Sequence, residues 1–383
     1  MGRGPRGRGA ALDAFRGPGG RAPRAVGAEP ERPGTRRARL DDPGLCTERE
    51  LTAPVDLCTP GGELNPAAVG WSRVPLHRCN LSGHPLRKKR WDYWCVTSAT
   101  HLLSLTYTDL DYVGLASAWV LVYETRRVVE AQALVPLARG FAQPARVAGG
   151  DVSFGQRSLT LAIREEPDAT RLEVAFAGRG VPVVADVRVA KPAGHESLSV
   201  VVPWSATRFQ YTSKHNTRPA TGAVAVGGDR LAFGRENGAF GCLDYGRGVW
   251  PYRSSWNWAS ASGTAGGRLV GLNLGGRWTD GTGSTENGLC LDGRLHKLSE
   301  DLVWEYDRGD WMAPWRIRTP RSKRVDLAFR PFFHKPSRVE LGVVGSELHV
   351  CFGRFEGTVV GDDGAPVELA DLVGWAEEHR ARW

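Results

Sequence analysis

No two cysteines in this sequence stand in a Cys-x-x-Cys pair. The seven that occur, at 46, 58, 79, 95, 242, 290 and 351, are dispersed and odd in number. Such a set excludes a disulfide framework and favours reduced thiols, so a cytoplasmic location is expected. His296, His334 and His349 have no partner at ligand spacing either, and no metal site is expected. Gly246-x-Gly248 lacks the strand-to-helix setting of a phosphate loop, which removes NAD and ATP, and the expectation is no cofactor. Gly-x-Ser-x-Gly is absent, which counts against a serine hydrolase of the α/β type. Nowhere is there a run of about eighteen apolar residues, so no membrane span is expected.

Large apolar side chains are also scarce in residues 1–42, which are mostly Arg, Gly, Ala and Pro. Such a segment cannot bury enough surface to offset the entropy of ordering, so it is expected to be disordered and dispensable. It has no continuous apolar stretch that would make a secretory signal. A start codon placed too far upstream is the plainer explanation. Of the net charge of +8, residues 1–40 hold +7, from ten Arg against Asp13, Glu29 and Glu31. The remainder is nearly neutral, so the electrostatic argument for nucleic acid or anionic membrane is confined to the tail, and no nucleic-acid partner is expected. With 383 residues, 41% of them apolar, the chain is long enough for two domains with real cores.

What is present is strand. Apolar residues alternate at Leu159/Leu161/Ile163, Leu172/Val174/Phe176 and from Val181 to Val189, and again at Val325/Leu327/Phe329 and Leu348/Val350/Phe352. Gly227-Gly228, Gly266-Gly267, Asp292-Gly293 and Asp363-Gly364 mark turns between them. Strands so closely spaced, without helices of crossover length, predict an all-β fold of antiparallel barrels or strongly curved sheets. One helix is expected, over 366–379, where Leu369, Leu372, Val373 and Ala376 make a stripe and Pro366 stands near its start. A faint echo of Trp91-Asp92-Tyr93 in Trp256-Asn257-Trp258 suggests two related β domains, 43–205 and 206–383.

Seven of the fourteen tryptophans lie in residues 250–315, and the stretch from Asp244 to Ser260 opens that concentration. Trp256 and Trp258 share a strand face, followed by small residues that leave room above their rings. Asp244, Tyr245, Arg247 and Tyr252 are placed in a Gly- and Pro-punctuated turn, where scaffolds present polar groups to ligands. Asp244 among aromatics would titrate high and serve as a proton donor, with Glu286 completing a carboxyl pair and His215 and Tyr252 orienting it. Lys214, Tyr245, Arg247, Trp250, Trp256, Trp258 and Asn287 are the candidate ligand contacts. Each has a plain alternative: core packing for the tryptophans, an Asx turn or an Arg247 pair for Asp244, solvation for Glu286. One shared pocket is expected if Asp244 and Glu286 fall at the same barrel end.

The segments Leu64-Asn65-Pro66-Ala67-Ala68-Val69-Gly70-Trp71-Ser72-Arg73, Asp244-Tyr245-Gly246-Arg247-Gly248-Val249-Trp250-Pro251-Tyr252, Thr285-Glu286-Asn287-Gly288 and Gly374-Trp375-Ala376-Glu377-Glu378-His379 resemble the bacterial domain-of-unknown-function family 2804, from about Cys58 to Trp383. More distantly, Trp91-Asp92-Tyr93-Trp94 is similar to the aromatic strand of double lipocalin-like proteins, which include carotenoid hydratases and tocopherol cyclases. That resemblance implies two lipocalin-like barrels with a ligand pocket. The function expected is binding or converting a mostly apolar small molecule by cofactor-independent acid/base chemistry. The alternatives are a carbohydrate-directed module or glycosidase using Trp platforms with Asp244 and Glu286, and a non-enzymatic lipophile carrier. Nothing in the sequence fixes an oligomeric state.

Overall fold

The computed structural model describes residues 46–383. The Arg-rich stretch over 1–42 therefore lies outside the described residues. Within them the chain makes two large antiparallel sheets, one of thirteen strands contributed by residues 71–249 and one of nine contributed by residues 253–382. The chain passes between the sheets at Trp250-Pro251-Tyr252. The strands that build the site are β1 (Lys88–Thr97), β2 (Arg208–Val226), β3 (Phe240–Val249), β4 (Arg253–Ala265), β5 (Arg268–Gly276), β6 (Val325–Leu341), β7 (Val344–Val360) and β8 (Pro366–Arg382).

Each sheet curls round a core of its own. Val129 from one edge strand of the first sheet and Val152 from the other join the same buried cluster as Trp94, Leu105, Tyr211 and Leu243, so the two ends of the sheet close over a common interior. The second sheet does likewise around Leu272, Leu289, Trp315, Phe329 and Leu372. These are half-barrels, open in their hydrogen-bonding order. A third apolar layer lies between them, with Cys95, Leu102, Leu121 and Cys242 of the first sheet against Trp258, Val350, Phe352 and Trp375 of the second. Strand parity produces this layering. On β1, Trp94 and Val96 enter the first core while Tyr93 and Cys95 face the second sheet.

The expected C-terminal helix is not there. Residues 366–382 form β8, paired with β4 on one side and β7 on the other, and the helical elements among the described residues are two single 3₁₀ turns, Pro66–Ala68 and Arg235–Asn237. The reason is a bulge. In the β7–β8 ladder Phe355 pairs with Leu372 and Gly357 with Leu369, so two residues of β8 oppose one of β7. An inserted residue breaks the period of two and puts Leu369 and Leu372, three apart, on one buried face. A spacing of three is what an amphipathic helix shows. Gly266 and Gly267, both at positive φ (57° and 78°), make the tight turn that joins β4 to β5.

Candidate functional site

β2 and β3 are neighbours, with Lys214 opposite Asp244. The rows containing Thr212/Lys214/Asn216 and Cys242/Asp244 face the second sheet. Just beyond Lys214 the ladder slips: His215 pairs with Leu243 but Arg218 with Gly241, and Thr217 takes a positive φ of 53°. This bulge turns Asn216 and Thr217 toward the other sheet. There the Asn216 amide donates to Ser260 Oγ (2.7 Å) and to the Leu272 carbonyl (3.0 Å), and the Thr217 N–H donates to Ser262 Oγ (2.9 Å). The small residues after Trp258 therefore seat the bulge of the opposing sheet.

Against this seam the Lys214 ammonium lies 2.9 Å from Asp244 Oδ1 and 3.0 Å from Glu286 Oε2, and 4.3 Å above the Trp258 ring. All four side chains are buried. Burial alone would lower the Lys214 ammonium, but Asp244 and Glu286 more than offset it and hold it above the ordinary lysine range. Thr212 Oγ1 donates to Asp244 Oδ1 (3.0 Å), and Trp278 Nε1 donates to Glu286 Oε1 (2.6 Å). Gly275 is what allows Glu286 into this position, since a Cβ there would stand 2.2 Å from Glu286 Oε1. Glu286 itself is raised, by burial first and by Asp244, against the pull of Lys214.

A third carboxyl belongs to the same constellation. Glu377, on β8 opposite Trp258, accepts from Trp256 Nε1 (2.9 Å). Burial, together with the Asp244 and Glu286 charges, raises it to about 7 despite the Trp256 hydrogen bond and Lys214. Taken as whole residues, Glu377 and its neighbours Tyr93, Trp256 and His379 are half-buried. Parity places Trp375, Glu377 and His379 on one face, next to Trp258 and Trp256 on β4 and to Phe352, Val350 and Leu348 on β7. Tyr93 meets Trp258 and Trp375 edge-on at 5.8 and 6.4 Å. The Trp375 indole N–H is buried without a hydrogen-bond partner among the described residues. His379 is lowered to about 3 by burial and lies tilted against the Trp256 ring, centroids 4.1 Å apart.

Of the residues expected at the site, Lys214, Asp244, Glu286 and Trp258 come together, Trp256 joins through Glu377, and Trp250 stands beside Trp256 and Trp278 at 5.5 and 5.3 Å. The others face away. Asp244 to Arg247 are in a strand, not a turn, and on β3 Tyr245 and Arg247 point to the first core, where Arg247 pairs with Asp92 (2.9 Å) and lies over Tyr245 (3.6 Å). The glycines read as turn residues have another cause: a Cβ at Gly246 would stand 2.0 Å from the Trp91 ring, and one at Gly248 2.3 Å from Gln210 Oε1. His215 lies across β2 from Lys214, bonded to Ser213 (3.0 Å) and Arg218 (3.0 Å), and burial keeps it neutral. Asn287 supports the backbone at Gly275 and Glu300. Tyr252 is exposed and donates to the Val343 carbonyl (2.5 Å).

Glu377, Trp278 and Trp375 were not among the expected residues. The alternating Trp375-x-Glu377-x-His379 was the available signal, hidden inside the segment read as helix. No cluster of three or more potential metal ligands occurs among the described residues. No helix among them is long and apolar enough to cross a membrane. A surface cavity of ≈ 810 Å³ lies elsewhere, beside Tyr306, Trp315 and Glu356, and holds none of the expected residues.

No curated protein matches the chain. Among solved structures it is similar to a protein designated AttH from Nitrosomonas europaea, at 12% identity over 85% of this chain and 98% of that one with a TM-score of 0.44. It is similar also to kievitone hydratase from Nectria haematococca, at 11% identity over 76% and 88% with a TM-score of 0.42. CghA solved with Sch210972 gives 12% over 78% and 89% with a TM-score of 0.37. Likeness of this degree carries no inference about chemistry. The model of the domain of unknown function DUF2804 matches residues 48–383, and the chain belongs to that family.

Proposed function

We propose that the space between the two sheets, at the half-buried end of the constellation, takes a mostly apolar small molecule and that Glu377 exchanges a proton with it without a cofactor. The observation that carries this reading is the setting of Glu377, a carboxyl that accepts from the Trp256 indole N–H, stands opposite Val350 on β7 and is raised to about 7 by burial. A group titrating near neutrality can both give and take a proton at working pH. Trp256 orients the carboxyl through its indole N–H. Lys214, fixed by Asp244 and Glu286, supplies a permanent positive charge whose position is set before any ligand arrives. In this reading Asp244 is not the proton donor. Its carboxylate is committed to Lys214 and Thr212, and its work is positioning. Trp375 offers a buried N–H to a ligand oxygen, while Val350, Leu348 and Phe352 supply the apolar wall.

The test is to identify by mass spectrometry the small molecule that co-purifies with the protein, then incubate it with wild type and Glu377→Gln in deuterium oxide. An isoprenoid or fatty compound that gains deuterium or is converted only by wild type is the expected result. A sugar would overturn the reading. No exchange or conversion by either protein would leave a carrier in place of an enzyme, and equal conversion by both would remove Glu377 as the acid/base group.

A further inference from the structure

The wall formed by Phe352, Val350 and Leu348 does not stop at the edge of the site. In the β6–β7 ladder Phe333 pairs with Phe352, Lys335 with Val350, Ser337 with Leu348, Val339 with Ser346 and Leu341 with Val344. Parity therefore puts Val339 and Leu341 on the face that, further in, looks at Glu377 and Trp375. Burial falls steadily along this row. Phe352 and Val350 are buried, Leu348 half-buried, and Val339 and Leu341 are 44% and 70% exposed. At the hairpin turn Val343 is 74% exposed, its carbonyl held by the Tyr252 hydroxyl. A row of apolar side chains, interrupted by Lys335, Ser337 and Ser346, thus runs from the interior of the site to a projecting tip.

On the opposite face of the hairpin, behind this strip, is a collar of charge. Arg253, Arg338, Arg380 and Arg382 line a depression of ≈ 420 Å³ with Glu340 and Glu347. Arg382 pairs with Glu340 and Arg380 with Glu378, whereas Arg253 and Arg338, both exposed, have no acidic partner among the described residues. An apolar projection backed on its other face by unpaired cations suits a surface that is apolar inside and anionic outside. We propose that the hairpin tip at Val339, Leu341 and Val343 docks on an anionic lipid bilayer, with Arg253 and Arg338 meeting its headgroups. This rests on the proposed function for its purpose, since an apolar ligand would then pass from bilayer to site along the strip.

Co-sedimentation of the full chain with vesicles of phosphatidylcholine alone, and with phosphatidylglycerol added, tests it. Wild type is expected to bind the anionic vesicles. Leu341→Ser with Val343→Ser should weaken that binding at least about tenfold, because each loses part of an apolar side chain's burial. Arg253→Gln with Arg338→Gln should weaken it roughly 30-fold at low salt, from about 1 kcal/mol per charge. The ten Arg of residues 1–40 attract anionic vesicles in every variant alike, so the docking surface is read from the loss on substitution and not from wild-type binding alone. Absence of wild-type binding, or binding by the tip and collar variants equal to that of wild type, overturns the proposal. So does a loss of self-association in the tip variant without vesicles, which would assign the tip to a second copy of the chain. Glu377→Gln should bind vesicles as wild type does, so failure of the acid/base reading and failure of the docking surface are read separately.

Discussion

Lys214 is the residue on which the site depends, because two buried carboxylates answer to it. Removing one partner of a buried charge set leaves the others unpaired, which costs about 3–5 kcal/mol, more than losing the pair's own attraction. Lys214→Met is expected to lower stability by that order in denaturant titration, and Asp244→Asn by less, since an amide still accepts from Thr212 and Lys214. If Lys214→Met melts like wild type, the cluster is not closed as described. Parity explains which residues could be read in advance. Asp244 and Trp258 are recognisable as polar and aromatic residues of one dense segment, and Lys214 and Glu286 as charged residues on either side of it. Asp244 and Tyr245, however, are adjacent on a strand and cannot face the same way, and reading them as a turn concealed this. Whether Asp244 or Tyr245 faces the second sheet depends on tertiary contacts that local composition does not contain.

At the scale of the element, β3 and β8 show how a strand can carry the signature of something else. Gly246 and Gly248 punctuate β3 because Trp91 and Gln210 lie across it. Gly246→Ala is expected to destabilise by about 1–3 kcal/mol through displacement of the Trp91 ring, and restoring space with Trp91→Leu in the double variant should recover part of that loss. A turn glycine would show no such coupling, so additive melting temperatures would contradict the placement. In β8 the bulge between Leu369 and Leu372 imitates a helical stripe, and Glu377 disappeared from view with it. The hairpin of β4 and β5 was open to reading, because Gly266-Gly267 between apolar runs is a local signal whose turn geometry is fixed by two residues.

For the whole molecule, the layer between the half-barrels joins stability to protonation. The folded chain holds the Glu377 proton up to about 7, against 4.5 for an ordinary glutamate, so between those values the native state binds more protons than the unfolded one. The stability Glu377 contributes is complete below 4.5 and is lost as pH rises through 7. His379, lowered from 6.5 to about 3, acts in the opposite sense: its contribution is present above 6.5 and is lost as pH falls toward 3. The two oppose each other between 4.5 and 6.5. Subtracting the Glu377→Gln stability curve from wild type should therefore expose a difference that favours wild type at low pH and declines toward 7. A flat difference would mean that Glu377 is solvated like any surface carboxylate. The division into strands followed from period-two alternation. That the half-barrels would face each other across a charged seam did not, because Lys214 and Glu286 are brought together by sheets formed from distant parts of the chain.

The most direct test of the acid/base reading is an infrared titration of the protonated-carboxyl band in wild type minus Glu377→Gln. A band that belongs to Glu377, titrates near 7 and moves upward in Lys214→Met, where the neighbouring positive charge is gone, is the result expected here. A Glu377 carboxyl that ionises near the ordinary value of 4.5, or one indifferent to Lys214, would contradict it.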